Sequence, residues 1–143
     1  ILLIDNLSTN KTSSLFFLKG KYNFLDIDVR DKSQDLINNV KKSAIIIHLA
    51  ALTNAENSLN KKKKFIEHNF KCSDNIFNLA NKYKKKIIFI SSTSVYGSQK
   101  KIVYEDDQSF INPQSPYAIA KIKEEKLLYK YQKTGLNITH KLI

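Results

Sequence analysis

Ser91-Ser92-Thr93-Ser94-Val95-Tyr96-Gly97 and, a short loop later, Ser115-Pro116-Tyr117-Ala118-Ile119-Ala120-Lys121 decide how this chain reads. The apolar run Ile87-Ile88-Phe89-Ile90 precedes the first segment. It is short and β-branched, as a buried parallel strand requires. The serine-rich turn then falls at the carboxyl end of a strand, where open α/β sheets bind ligands. The second segment predicts a helix start, with Ser115 at the N-cap and Pro116 at the first helical position. Ile119, Ile122, Leu127, Leu128 and Tyr131 follow at roughly helical spacing. Tyr117 and Lys121, at i and i+4, share a helix face about 6 Å apart along the axis.

That pair has a chemical reading. A phenol that titrates near ~10 is a poor base at neutral pH, and half-ionising it there takes about 4 kcal/mol of differential stabilisation. A neighbouring ammonium supplies part of that, and an oxidised nicotinamide would supply more. A serine hydroxyl at the adjacent strand end shares the proton of a substrate alcohol. These are the parts needed to take a proton from a C–OH as hydride leaves the carbon. In a lysine-rich chain an isolated Tyr-x-x-x-Lys carries little weight; behind the Ser-rich Val95-Tyr96-Gly97 turn it carries much more.

Other segments join in order. Ile1-Leu2-Leu3-Ile4-Asp5-Asn6-Leu7-Ser8, Phe24-Leu25-Asp26-Ile27-Asp28-Val29-Arg30-Asp31, His48-Leu49-Ala50-Ala51 and Asn69 precede the serine turn. With it they resemble the extended short-chain dehydrogenase/reductases, specifically the NAD-dependent epimerase/dehydratase family and its UDP-glucose 4-epimerase-like members. The resemblance spans the whole chain and implies an α/β, Rossmann-type, doubly wound parallel sheet. It also implies a sugar-nucleotide epimerase: transient oxidation of a sugar hydroxyl to a keto intermediate, then re-reduction on the other face. Tyr117 is the implied base and Ser92, four residues before Tyr96, shares the proton. Lys121 is implied to bind the nicotinamide ribose and favour the phenolate.

The cofactor residues the resemblance implies begin with Asp5. An acidic residue ending the second strand accepts hydrogen bonds from the adenosine ribose and repels a 2′-phosphate, which favours NAD over NADP. Taken alone, Asp5 reads equally well as the opening of a turn. Asn6, Leu7 and Thr9 line the same adenosine end by resemblance, and Asp28 and Val29 border the adenine. Asp28 also reads as a helix cap. Leu49, Ala50 and Ala51 follow the strand at Ala44–Leu49, where the backbone approaches the ligand, and Thr53 lies nearby. Asn69 is implied to help hold the nicotinamide region, with a surface-facing amide as the alternative. His48 reads as packed at a strand end.

Further elements are predicted along the chain. Leu15–Lys19 is a short helical segment and Tyr22–Ile27 a strand. Helices are expected over Asp31–Lys41, over Lys62–Tyr83 and from Pro116 to about Thr134. Phe65, Ile66, Phe70, Ile76, Phe77 and Leu79 are available for packing on the second of these. Gly135 is a C-terminal stop, and Leu136–Ile143 begins a last strand. Gln99–Asn112 is a charged loop implied to face substrate.

Composition bounds the rest. With 143 residues the chain suffices for one domain with a real core. Its net charge of +11 is nearly all lysine, with Arg30 the one arginine. Because arginine is the usual reader of phosphates and base edges, no nucleic-acid partner is expected. Cys72 stands alone, and His48, His68 and His140 lack metal-ligand spacing, so no metal is expected. No run is long enough to span a bilayer, so the expectation is a cytoplasmic protein without a membrane partner.

The three glycines, Gly20, Gly97 and Gly135, cannot supply a Gly-rich phosphate-binding turn. The chain also lacks methionine and opens and closes within apolar runs. The expectation is therefore a partial NAD-binding domain over residues 1–143, from the family's second strand to about its sixth. The first strand with its turn, and the C-terminal substrate domain, are missing. Loss of that central strand leaves two sheet edges unpaired. By itself such a chain is expected not to turn over. A parent would take a nucleotide-sugar substrate, with a homodimer as its expected assembly. The turn residues Ser92-Thr93-Ser94-Val95 contain no carboxylate, which weighs against dehydratase and decarboxylase chemistry. A dehydratase or reductase of the same family, or a homologue that binds NAD without catalysis, are the alternatives.

Overall fold

The computed structural model describes residues 1–9, 13–17, 19–53, 62–104 and 108–141. Strand β1 (Leu2–Asp5) pairs in parallel with β2 (Asn23–Asp26), Leu2 opposite Asn23 and Asp5 opposite Asp26. A second parallel sheet holds β3 (Ile45–His48), β4 (Lys86–Ile90) and β5 (Ile138–Lys141), with β4 in the middle. Parallel neighbours need crossovers. Helix α1 (Gln34–Lys42) connects β2 to β3, α2 (Lys62–Lys82) connects β3 to β4, and α3 (Pro116–Gln132) connects β4 to β5. Among the described residues no strand joins β1 to β3, so each sheet keeps an open edge. Burial marks the open region as well. Ile45 and Ile47 of β3 are 50% and 61% exposed, whereas Ile87 and Phe89 of β4 are fully buried.

Local chemistry accounts for the helix boundaries. Ser115 caps α3 as expected, its Oγ accepting the Ala118 N–H at 3.1 Å. Gly135, at φ +94°, turns the chain out of the helix toward β5. The cap of α1 corrects the sequence reading. Ser33, not Asp28, fills that role, accepting the Leu36 N–H at 3.2 Å. Asp28 instead closes a tight turn by accepting the Arg30 N–H at 2.9 Å. A second correction concerns Phe70, which lies exposed on α2 while Phe65, Ile66, Ile76, Phe77 and Leu79 are buried.

The core lies between the β3-β4-β5 sheet and the α2–α3 pair. Phe77 stands edge-on to Phe89 at 5.6 Å and to Tyr131 at 6.2 Å, geometries that suit the ring quadrupoles. Leu36, Ile87 and Leu128 fill the space around them. His48 is packed into the same cluster, edge-on to Phe77 at 5.8 Å, in keeping with its reading as a strand-end packing residue. On α3 the buried stripe differs from the apolar spacing. Ala118, Ala120, Lys121, Glu124, Leu127 and Leu128 are buried, and Ile119 and Ile122 only half-buried.

Candidate active site

The serine turn leaves β4 as a single 3-10 turn, Thr93–Tyr96. Ser92 caps it: its Oγ accepts the Ser94 N–H at 3.2 Å and donates to Ser94 Oγ at 2.8 Å. Gly97 ends the turn at φ +61°, ψ −153°, a combination open essentially to glycine alone. A Cβ there would meet the Asn112 carbonyl oxygen at 2.3 Å. The contact is needed because the Asn112 N–H donates to the Val95 carbonyl at 3.0 Å. That bond ties the serine turn to the segment leading into α3. Ser91, buried, donates to the Glu125 carboxylate of α3 and fixes the two elements from the other side.

Tyr117 and Lys121 come together on the first turns of α3. The Lys121 Nζ lies 5.9 Å from the centre of the Tyr117 ring and 4.7 Å from that of Phe89. It donates to the Ile90 carbonyl at 3.2 Å and to Glu124 Oε2 at 3.1 Å. The ammonium thus sits at the carboxyl end of β4, directly before the serines. Tyr117 is half-buried, so its ring keeps access to solvent.

A cleft opens where the carboxyl ends of β1, β2 and β3 meet. Of the expected cofactor residues, Asp5, Asn6 and Thr9 line it from β1, Asp28 and Val29 from β2, and Ala50 and Ala51 from β3. Leu7, Leu49 and Thr53 do not. Leu7 holds φ +52°, unusual for a branched side chain, and its N–H donates to Asp5 Oδ1 at 2.7 Å. Leu49 is exposed on the open side of β3, and Thr53 is exposed too. Asp28 accepts from Asn6 Nδ2 at 2.8 Å and from the Arg30 guanidinium, which holds its carboxyl well below the usual carboxylate range. The sequence reading missed Ser8, Leu52 and His68 in the lining. His68 stands one turn before Cys72 on α2, a helical spacing that could have placed it beside Cys72. Burial, then the Arg30 charge, lowers its pKa below the ordinary imidazole value.

Asn69 is fully buried, and both ends of its amide are occupied. Oδ1 accepts the Leu52 N–H at 2.8 Å and Nδ2 donates to the Leu52 carbonyl at 3.0 Å. Its work within the chain is to clamp the strand-end loop that carries Ala50 and Ala51. Burial pushes the Cys72 thiol up to about 12, far from a reactive thiolate. No group of three potential metal ligands gathers among the described residues.

The model of the NAD dependent epimerase/dehydratase family matches residues 1–140. The chain belongs to that family. A UDP-N-acetyl-alpha-D-glucosaminuronate decarboxylase of Bacillus cytotoxicus is 32% identical over 97% of this chain and 44% of its own length. A putative UDP-glucose 4-epimerase of Methanocaldococcus jannaschii is 30% identical over 93% of this chain and 43% of its own. The epimerase/dehydratase chain described here therefore spans less than half the length of these relatives. Its fold superposes on a double mutant of the dTDP-glucose 4,6-dehydratase of Streptomyces venezuelae, solved with NAD bound, at a TM-score of 0.84. That pair shares 22% identity over 99% of this chain and 45% of the other. A UDP-N-acetylglucosamine 4-epimerase of Methanobrevibacter ruminantium gives 0.82 at 26% identity over 99% and 46%. These matches establish the Rossmann-like fold. No helix among the described residues is long and apolar enough to cross a membrane.

Proposed function

We propose that the full-length protein is an NAD-dependent sugar-nucleotide epimerase. The observation that carries the proposal is the constellation at the end of β4: the Ser92 turn is stapled to the entry of α3, and Tyr117 and Lys121 share the first turns of that helix. Tyr117 accepts the proton of a sugar hydroxyl, Ser92 shares that proton by hydrogen bond, and Lys121 holds its ammonium 5.9 Å from the Tyr117 ring, beside the reacting groups. NAD, when bound there, would supply the reversible hydride acceptor for the sugar carbon.

The cleft supports the cofactor assignment in its adenosine half. Asp5 offers a carboxylate where ribose hydroxyls would donate, and the small Ala50 and Ala51 leave room for backbone to approach a ligand. Asp28 and Val29 border the adenine side. Asn69 acts through Leu52 rather than by its own amide, and Leu7 and Thr53 flank the same end. The phosphate grip is not supplied by Gly20, Gly97 or Gly135, none of which lines the cleft.

Epimerisation is preferred over dehydration and decarboxylation because Ser92-Thr93-Ser94-Val95 offers no carboxylate for acid–base work on neighbouring carbons. The test supplies the full-length protein with NAD and a panel of UDP- and dTDP-sugars and follows the sugar protons by NMR. Interconversion at one ring carbon without loss of water or carbon dioxide is the expected outcome. Tyr117→Phe should lower the rate by roughly 10²–10⁴-fold and leave NAD affinity near wild type. A variant that kept more than about a tenth of the rate would remove Tyr117 from the chemistry.

A further inference from the structure

Glu124 is 1% exposed on α3, on the face that presses against α2 and β4, where the helix also buries Ala118, Ala120, Leu127, Leu128 and the neighbouring Lys121. Its neighbours form a chain of donors with a defined direction. Oε2 accepts the Ser73 hydroxyl at 3.0 Å and the Lys121 ammonium at 3.1 Å. Ser73 spends its single proton on Glu124, so the 3.0 Å contact between Ser73 Oγ and His48 Nε2 must be donated by the imidazole. His48 therefore carries a proton at Nε2, and every proton in the chain points toward Glu124. The carboxylate ends the chain and accepts from both sides.

Such a group is a poor stabiliser. Burial pushes its carboxyl up, against the pull of Lys121 and Ser73, and Oε1 is buried without a partner among the described residues. Replacing a buried ion pair by apolar side chains is often neutral or stabilising. What the carboxylate does supply is direction. With the Ile90 carbonyl it occupies two of the three N–H groups of Lys121, and so fixes where the third points.

We infer that Glu124 is a positioning residue for Lys121: its buried carboxylate, with the Ile90 carbonyl, orients the ammonium so that one N–H faces the ligand beside Tyr117. The inference rests on the proposed Tyr117–Lys121 chemistry, but its test does not need turnover. The charged and titratable groups facing Lys121 are Tyr117 and Glu124 on its own helix and His48 across the core.

The experiment is nitrogen-15 NMR of the lysine ammonium groups of the chain, at mildly acidic pH and low temperature. There only ammonium protons held in hydrogen bonds escape exchange. The Lys121 signal is assigned by its loss in Lys121→Arg. Wild type should give a discrete signal, Glu124→Gln should lose it, and Glu124→Asp, its carboxylate drawn back by one methylene, should broaden it. Equal signals in wild type and both variants overturn the inference, and if Glu124→Gln does not fold, the aspartate variant alone decides. In the full-length protein Glu124→Gln should lower kcat by roughly 10- to 100-fold with the nucleotide-sugar KM unchanged, and Glu124→Asp should recover part of it. A lost NMR signal with no turnover even in wild type would sustain the positioning role and sink the epimerase reading.

Discussion

Asn69→Ala separates a clamp from a surface amide. The substitution deletes two hydrogen bonds, to the Leu52 N–H and carbonyl, at a site with no solvent exposure. Each bond contributes about 1 kcal/mol net, and the void left by the carboxamide adds on the order of 1 kcal/mol. Leu52 is only half-buried, so water will re-satisfy part of its backbone. The expected loss is therefore about 2–3 kcal/mol, at the lower end of the range for buried polar deletions. For a chain of this size that corresponds to a fall in Tm on the order of 5–10 °C. Urea denaturation followed by far-ultraviolet circular dichroism measures it. Asn69→Asp sharpens the test, because a carboxylate still accepts the Leu52 N–H but turns an oxygen toward the Leu52 carbonyl. Near neutral pH it should be at least as unstable as the alanine variant, and it should recover on acidification as the carboxyl regains a donor. A loss below about 0.5 kcal/mol for Asn69→Ala would match an ordinary surface substitution and refute the clamp.

Three further outcomes are expected. Gly97→Ala forces a Cβ to within 2.3 Å of the Asn112 oxygen at a backbone conformation reserved for glycine; it should cost at least about 1–3 kcal/mol in urea denaturation, and an unchanged midpoint would show the staple to be dispensable. Burial, and then the charge of Lys121, hold the His48 imidazole down to about 3, below its ordinary 6.5. The folded state thus refuses a proton that the unfolded state accepts, so this contribution is intact above pH 6.5 and is lost as pH falls toward 3. His48→Gln should flatten the dependence of the urea midpoint on pH in that window, and an equal slope in both proteins would exclude His48 as its source. Finally, in the full-length protein the Asp5 carboxylate should repel a 2′-phosphate, so NAD is preferred and Asp5→Asn narrows the preference over NADP; equal affinities for the two cofactors in wild type would take Asp5 out of the ribose site.

Much of the fold lies open in the sequence because its signals are local. β-Branched runs such as Ile45-Ile46-Ile47 and Ile87-Ile88-Phe89-Ile90 mark parallel strands, and both pair in β3 and β4, although only the second is buried and Ile45 and Ile47 stand exposed. Ser115-Pro116 starts α3 because capping and a fixed proline φ act within one turn. The pairing of Tyr117 with Lys121 follows from helical pitch alone. Gly20, Gly97 and Gly135 were enough to exclude a glycine-rich phosphate turn within these residues.

Tertiary packing decided the rest. Asn69 could be given a ligand or solvent from its sequence, but only the approach of Leu52, seventeen residues back, shows that both ends of its amide serve the backbone. Asp28 read as a cap in the sequence, but the role falls to Ser33 because the Arg30 guanidinium and the Asn6 amide claim the aspartate. His68 enters the cleft only because α2 packs beside the ends of β1 and β2. Glu124 is the sharpest case. Apolar spacing along α3 pointed to Ile119 and Ile122 as core, yet the helix turns Lys121 and Glu124 inward and leaves the isoleucines half-buried. Spacing counts side chains along one helix and cannot register partners on others. Ser73 on α2, His48 on β3 and the Ile90 carbonyl on β4 are what make a buried ion pair tolerable there, and they meet only once the chain has folded.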